Sequence, residues 1–374
     1  MATYKVYLYN SLTQTVYAEI PFSALSYSYV MDEAGSATIE IPIGVPKRNG
    51  AALTPDDLFP VRSAVAVERD GVLVWGGLVW AYRVDLSKRT IAITAGDYLS
   101  YYKRRHTGAN VAVTYKQIEQ SQMIKNLITA ANTAGIKTDT AGIVPTNMVR
   151  TRTWNKYEFK SLYDIFADLA DDITSRDPIS GLDGGGFFLY FEPYWITAGT
   201  KIGNRVYNTA NRHPYDSGIS LQQGVNCEFA DMTLDGTGLA SSAFAIGATD
   251  GTASVTPYAS DTNPALGALI PQVNAVINET GIKSATALQY KVKSALSFGS
   301  MPVVIPNANT YPGLFSPLAL KPGMRAGVTT DDGFLNLIGE DYVITQTSVS
   351  VASDGSDRLT LSLVQTDLFK ETEE

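Results

Sequence analysis

Along the first hundred residues apolar and polar positions alternate with a period of two. Tyr4, Val6 and Leu8 fall on one side and Lys5, Tyr7 and Tyr9 on the other, as in a strand. Thr38 to Ile43 repeats the pattern and ends near Pro42, as an edge strand does. Val65 to Arg69 reaches Asp70-Gly71, a hairpin signal, and Val72 to Trp75 returns. Gly76-Gly77 is predicted to break that strand before Leu78 to Val84. A turn over Asp85 to Arg89 then leads into Thr90 to Ala95. Short strands with turn signals this close predict a small antiparallel barrel or sandwich.

The period then changes. Ile118, Ile124, Leu127, Ile128 and Ala131 share one face of a helix predicted to stop at Gly135. A second helix opens on Ser161 and Asp164, a capping-box pair, and carries the stripe Leu162, Ile165, Phe166, Leu169 and Ile173. After the glycine-rich stretch from Gly181 to Gly186 comes a strand, Phe187 to Glu192. A third helix, capped by Ser284, runs through Ala285, Leu288, Val292 and Ala295. The Thr-, Ser- and Gly-rich segment from Asp231 to Asp261 reads as strands joined by long loops.

The last seventy residues return to period two in an order met before. Met324 to Thr329 reaches a turn at Asp331-Asp332-Gly333. Phe334 to Leu337, Gly339 and Tyr342 to Gln346 follow, then a turn over Ser353 to Asp357, then Arg358 to Leu363. Val65 to Ala95 has the same sequence of strand, Asp-Gly turn, short strand, glycine, longer strand, polar turn and final strand. The expected fold is therefore mainly β with an α/β insertion: two similar small antiparallel β-barrels flanking a helix-containing domain. The expected boundaries are 1–108 for the first barrel, 109–225 plus 255–298 for the insertion, and 226–254 plus 299–374 for the second barrel.

Composition narrows the function. A chain of 374 residues is too long for one ordinary core. Its 45% hydrophobic and 18% charged content is that of a folded soluble protein. No apolar run approaches the roughly 20 residues that span a bilayer, and the first residues lack the apolar core of a signal peptide, so folding in the cytoplasm is expected. The lone Cys227 rules out an internal disulfide framework and a cysteine zinc cluster. With 37 acidic against 29 basic residues the net charge is −8, which argues against a protein that grips nucleic-acid phosphates.

Four features, taken in order, carry a family resemblance. They are Trp75-Gly76-Gly77 on the central hairpin of the first barrel, and the helix pair followed by Gly185 to Tyr190. The others are the helix from Ser284 ending at Ser300-Met301-Pro302, and Leu320-Lys321-Pro322-Gly323-Met324 leading into the second barrel. This arrangement resembles the baseplate-hub family of phage tails, relatives of the T-even hub and of the type VI secretion spike base. The chain is shorter than contractile-tail hubs and has no appended lysozyme domain, so it looks more like a minor tail protein of a long non-contractile tail. The resemblance implies a non-enzymatic homotrimer at the virion tail tip, assembled in the host cytoplasm. Its ring would offer six similar barrels to a tail tube or distal tail protein. Tape-measure and tip or fibre proteins are its other implied partners, and DNA passes through without specific binding.

Candidate chemistry is sparse. Asp164, Asp168, Asp171 and Asp172 crowd one helix, and paired carboxylates serve glycoside hydrolysis, but neighbours on one helix read better as its solvated face. His213-Pro214-Tyr215-Asp216 offers a base beside an acid without a nucleophile. Lys103-Arg104-Arg105-His106 is the one compact basic run. It reads as a solvated turn or an inter-subunit contact rather than a DNA site. Asp331-Asp332-Gly333 and Asp354 to Asp357 are hairpin turns rather than calcium loops. Gly184-Gly185-Gly186 precedes a strand, against a dinucleotide loop. Cys227 reads as buried and inert. Trp154, Trp195 and many of the 21 tyrosines fit either a sugar-binding surface or barrel filling, with filling favoured. No catalytic, cofactor or metal residue is assigned. The rival functions are a host cell-wall carbohydrate-binding tail protein and a wall-degrading enzyme.

Overall fold

The computed structural model describes residues 2–108, 112–170, 187–209, 215–247, 258–278, 285–331, 333–334, 336–352 and 354–365. They fall into two compact units, Met1–Phe229 with Ala308–Leu363, and Ala230–Asn307.

The first unit opens with β1 (Tyr4–Asn10), β2 (Val16–Ile20), β3 (Ala24–Val30), β4 (Ser36–Pro42), β5 (Ser63–Arg69), β6 (Val72–Asp85) and β7 (Thr90–Asp97). The α/β segment follows with α1 (Leu99–Tyr102), β8 (Val113–Glu119), α2 (Gln120–Asn132), β9 (Asp139–Gly142), β10 (Val149–Trp154), α3 (Leu162–Ala170), β11 (Leu189–Thr197) and β12 (Lys201–Asn208). Next come β13 (Tyr215–Gln222) and β14 (Cys227–Asp235), which carries the chain into the second unit. That unit holds β15 (Ser242–Ile246), β16 (Tyr258–Thr262), α4 (Pro264–Gly267), β17 (Asn274–Asn278) and α5 (Ala285–Phe298), and the chain leaves along β18 (Val303–Thr310). The first unit closes with β19 (Met324–Asp331), β20 (Asn336–Val351) and β21 (Asp357–Gln365).

The repeat seen in the sequence is present in the strand order. In one set the neighbours run β4-β7-β6-β5-β1, in the other β18-β21-β20-β19-β13. Each set is a three-strand meander flanked on both sides by two strands that precede it in the chain. One pairing differs: β1 is antiparallel to β5, whereas β13 is parallel to β19. The outermost strands of each set, β2 with β3 and β13 with β14, are consecutive in sequence, joined by residues 21–23 and 223–226. Connections this short keep the two ends of each set close together. β3 joins the sets, pairing with β4 on one side and, from Leu25 to Val30, with β20 on the other.

Three local expectations are corrected. β4 is an interior strand between β3 and β7, not an edge; Pro42 is tolerated because it is the last residue of the strand, opposite Thr90. Gly76-Gly77 does not break its strand, since β6 runs unbroken from Val72 to Asp85. The two glycines answer to crowding instead: a Cβ at Gly77 would lie 2.1 Å from the Gly96 carbonyl oxygen, and one at Gly76 2.9 Å from Pro193 Cβ. Ile118 belongs to β8, opposite Arg150, and α2 starts only after Glu119, whose carboxylate accepts from Gln122 N at 3.0 Å. The Asp70-Gly71 turn is as expected, with φ of 51° and 85°, both in the left-handed region that a tight hairpin needs.

The helix stripes bury as their spacing requires. Ile124, Leu127, Ile128 and Ala131 of α2, with Leu162, Ile165, Phe166 and Leu169 of α3, share one core with Tyr7, Tyr9, Leu73 and Leu78 of the first strand set. Ser161 caps α3, its hydroxyl accepting from Asp164 N at 3.0 Å and donating to the Asp164 carboxylate at 2.6 Å. Ile173 and the Ser284 cap lie outside the described residues. In the second unit β15 pairs with β16 and β17, and Ala243, Ala245 and Ala259 pack on Leu288, Val292 and Leu296 of α5. The expected boundary between 254 and 255 falls inside this unit, because β15 finds its hydrogen-bond partners beyond it.

Candidate functional site

The residues singled out for chemistry do not converge. Asp164 is occupied by the Ser161 cap and Asp168 by an ion pair with Lys160. Asp171, Asp172, His213 and Gly184-Gly185-Gly186 lie outside the described residues. Asp216 accepts from Gly218 N at 2.8 Å, closing a local turn. Asp331 likewise accepts from Gly333 N, and Asp354 from the backbone and hydroxyl of Ser356, so both acidic turns use their carboxylates on their own backbone. Cys227 is fully buried, and desolvation, with Glu228 beside it, pushes its thiol up to about 11. Among the described residues no three His, Cys, Asp or Glu side chains gather as metal ligands would.

Many of the aromatic residues pack into the interior. Trp154 is 5% exposed and meets Tyr115 edge-on, and Trp195 meets Tyr7 edge-on at 5.1 Å between centroids. Trp154 is thus withdrawn from solvent, while Trp195 is half-buried against the core. Trp75 is buried and donates from Nε1 to the Ser28 carbonyl at 3.1 Å. The Tyr9 and Tyr98 hydroxyls bond each other at 2.6 Å, so burial leaves neither unsatisfied.

The basic run leaves α1 on the surface. Lys103 Nζ lies 4.5 Å from the Tyr163 ring centroid and 3.9 Å from a Glu33 oxygen. Arg104 stands over Trp80, and Arg105 donates to the Ala131 carbonyl at 3.2 Å. Backbone pairing of His106 with Ser161 ties the run to the start of α3.

Two surface features had no signal strong enough to be read from the sequence. The first is a groove of about 50 Å³ within the first unit. Tyr29, Met31, Leu99, Phe188 and Tyr190 make its apolar wall, and Asp32, Glu33 and Glu192 line it as acids. Lys321 pairs with Glu192 at one side. Asp97 also lines it, and accepts from Gly35 N at 2.8 Å and Leu99 N at 3.0 Å. Burial pushes its carboxyl up to about 7, against the pull of those N–H groups, Ser100 N and the charge of Lys103. A carboxyl raised above its unfolded value of 3.8 supports the fold fully when protonated and loses that contribution as pH rises through about 7. Asp97→Asn is therefore expected to gain on the native chain in urea midpoint as pH rises from about 4 to 8. A native chain that gains instead would show that the ionised carboxylate is the favoured form.

The second feature is the loop between β10 and α3. Tyr157 and Phe159 have φ of 67° and 48°, left-handed values unusual for bulky side chains, and are 62% and 52% exposed. The Glu158 carboxylate holds the loop by accepting from Asn155 N at 3.0 Å and Asn155 Nδ2 at 2.7 Å.

No protein-family model matches the sequence, and no curated protein is significantly similar to it. Solved structures do share its fold. The 43 kDa tail protein of prophage MuSo2 from Shewanella oneidensis is 13% identical with a TM-score of 0.64, covering 98% of this chain and 100% of that one. A tail protein from Neisseria meningitidis is 12% identical with a TM-score of 0.61, covering 98% of each. An E. coli component of the type VI secretion system, described as similar to T4 bacteriophage tail proteins, is 10% identical with a TM-score of 0.51, covering 95% of this chain and 76% of that one.

Proposed function

We propose that this chain, which has the fold of prophage tail proteins over nearly its whole length, is a structural, non-enzymatic baseplate-hub or minor tail protein. Three copies form a ring at the tail tip. Each contributes two similar strand sets, so six similar units face the sixfold tail tube while the ring itself is threefold. The ring closes the tube and lets DNA pass at infection. A tail tube or distal tail protein above, a tape-measure protein, and tip or fibre proteins are its neighbours. The two strand sets are the ring modules, and the α/β segment that carries α2 and α3 is the insertion that faces the tip.

The observation that carries this reading is the repeated strand order, β4-β7-β6-β5-β1 against β18-β21-β20-β19-β13. A single chain has little other use for two near-equivalent barrels joined through one strand, whereas a threefold ring that must meet a sixfold tube needs that duplication. The net charge of −8 suits a channel through which DNA slides, since each cationic contact would add a salt-sensitive grip on phosphate. Cryo-electron microscopy of the intact particle should show three copies in one ring at the tip. One copy or six would rule the proposal out.

A further inference from the structure

The main sheet holds one four-strand order twice, β14-β18-β21-β20 and then β3-β4-β7-β6. The long strands β20 and β6 are counterparts, each followed by a turn into the last strand of its meander. Where the two runs meet, Gln346 to Val351 at the end of β20 pair antiparallel with Val30 to Leu25 of β3. The counterparts of these two strands have no such partner among the described residues. β14 ends the path, with β18 on one side only. β5 covers β6 as far as Leu78, and Val61 N takes the Val79 carbonyl at 2.7 Å. Trp80 to Asp85 therefore keep an open outer edge. Ala81, Arg83 and Val84 are exposed there, as are Ala230, Asp231 and Thr233 on β14. Six strands lie between β14 and β6, so within one copy the open edges stand at opposite ends of the double run. An open edge is a template for strand addition.

The charges of the two edges are opposite. β14 carries Glu228, Asp231 and Asp235 and no base. Asp231 accepts from the neutral Asn307 amide at 2.6 Å, which leaves its charge unbalanced. At the β6–β7 hairpin Arg83, Lys88 and Arg89 are exposed, and neither arginine makes an ion pair among the described residues. The one acid there, Asp85, is committed to Ser87 and to Lys88 N. Asn226 O accepts from Tyr311 N, just past β18, so the alternating backbone of β14 turns Asp231 and Thr233 outward. The turn before β14 holds the first part of its edge, with Phe229 N donating to Gln223 Oε1 at 2.7 Å, and the open length begins at Asp231.

We infer that β14 of one copy, from Asp231 onward, adds antiparallel to the Ala81–Asp85 edge of β6 in the next copy, with Arg83 against Asp231. The chain itself selects this occupant, because its β3·β20 join is the same strand type added to the same kind of edge. The inference rests on the ring reading and deepens it by naming the contact between adjacent copies. The two edges are different surfaces, so the contact is heterologous and runs head to tail. Each copy then makes one such join within itself and one to its neighbour, which closes a ring of three with six like units.

Two full-length variants test this, Ala81→Cys and Thr233→Cys, each adding one exposed thiol. Cys227 is fully buried and its thiol is held protonated, so it stays silent toward maleimides. Mixed and treated with a short bis-maleimide, the two variants should link to each other far more than either links to itself. Thr233→Cys linking mainly to its own kind would mean twofold pairing of β14 and overturn the head-to-tail contact. In native mass spectrometry Arg83→Glu alone and Asp231→Lys alone should each shift self-association at least tenfold toward monomer, and the double variant should regain most of it. Far-ultraviolet circular dichroism should be unchanged in all three. Trimers that neither cross-link through this pair nor respond to the charge reversals would overturn the contact and leave the ring standing. A chain that stays monomeric throughout would overturn the contact and count against the ring as well.

Discussion

Asp357→Ala is expected to destabilise the protein by about 3–5 kcal/mol, read from the urea midpoint of the full chain. Asp357 opens β21 with its side chain fully buried, and one carboxylate oxygen accepts from Arg69 Nε at 2.7 Å and from the Tyr4 hydroxyl at 2.6 Å. Tyr4 and Arg69 face each other across β1 and β5, so the first strand set holds the head of the second set's last strand. Burial pulls the Arg69 guanidinium down, but the hydrogen bond and charge of Asp357 hold it above its ordinary range. Burial, with Tyr27 and Asp357 nearby, likewise holds the Tyr4 hydroxyl protonated. Removing the carboxylate leaves a cation that is only 14% exposed, with Asp70 at 3.3 Å as its remaining acid. Breaking a buried pair costs more than replacing it whole. The double variant Asp357→Leu with Arg69→Met should therefore recover much of the loss. A single variant within about 0.5 kcal/mol of the native chain would show that the pair carries no such burden.

Phe166→Ala should cost about 3–5 kcal/mol by emptying the middle of the helical core. The ring is 2% exposed and packs 5.4 Å from Tyr102, which in turn stacks on Phe191 and bonds Thr138 through its hydroxyl at 2.8 Å. The loss thus falls where α1, α3 and β11 meet. Faster hydrogen exchange along α3 is the local sign to measure alongside the midpoint. Phe159→Ala, seven residues earlier and exposed, should stay within about 0.5 kcal/mol in the monomer. If the two variants behaved alike, burial would not be what separates them.

These two large effects differ in how far the sequence announced them. Phe166 stood in a stripe at helical spacing behind a Ser161–Asp164 cap, so its burial was legible from ten consecutive residues. The Asp70-Gly71 hairpin and the repeated meander were legible for the same reason: period and turn chemistry reside in adjacent residues. The aromatic surplus was readable only as a choice between filling and display. Packing decided it residue by residue, with Trp154 inside, Trp195 half-buried, and Tyr157 and Phe159 outside.

What only the tertiary structure decided are matters of partnership across long stretches of chain. A period of two says which side chains share a face, not which strand lies alongside, so β4 looked like an edge until β3 and β7 were seen on either side. Gly76 and Gly77 looked like a break because glycine lowers strand propensity, and only the approach of Gly96 and Pro193 shows why no side chain fits there. Arg69 and Asp357, 288 residues apart, share no local pattern at all. The groove draws its wall from β3, the start of α1, β11 and the approach to β19, segments that folding alone brings together. The sequence by itself determined the elements and their repetition, because those depend on near neighbours. Only the tertiary structure decided the contacts, because a contact needs two distant residues and each alone looks ordinary.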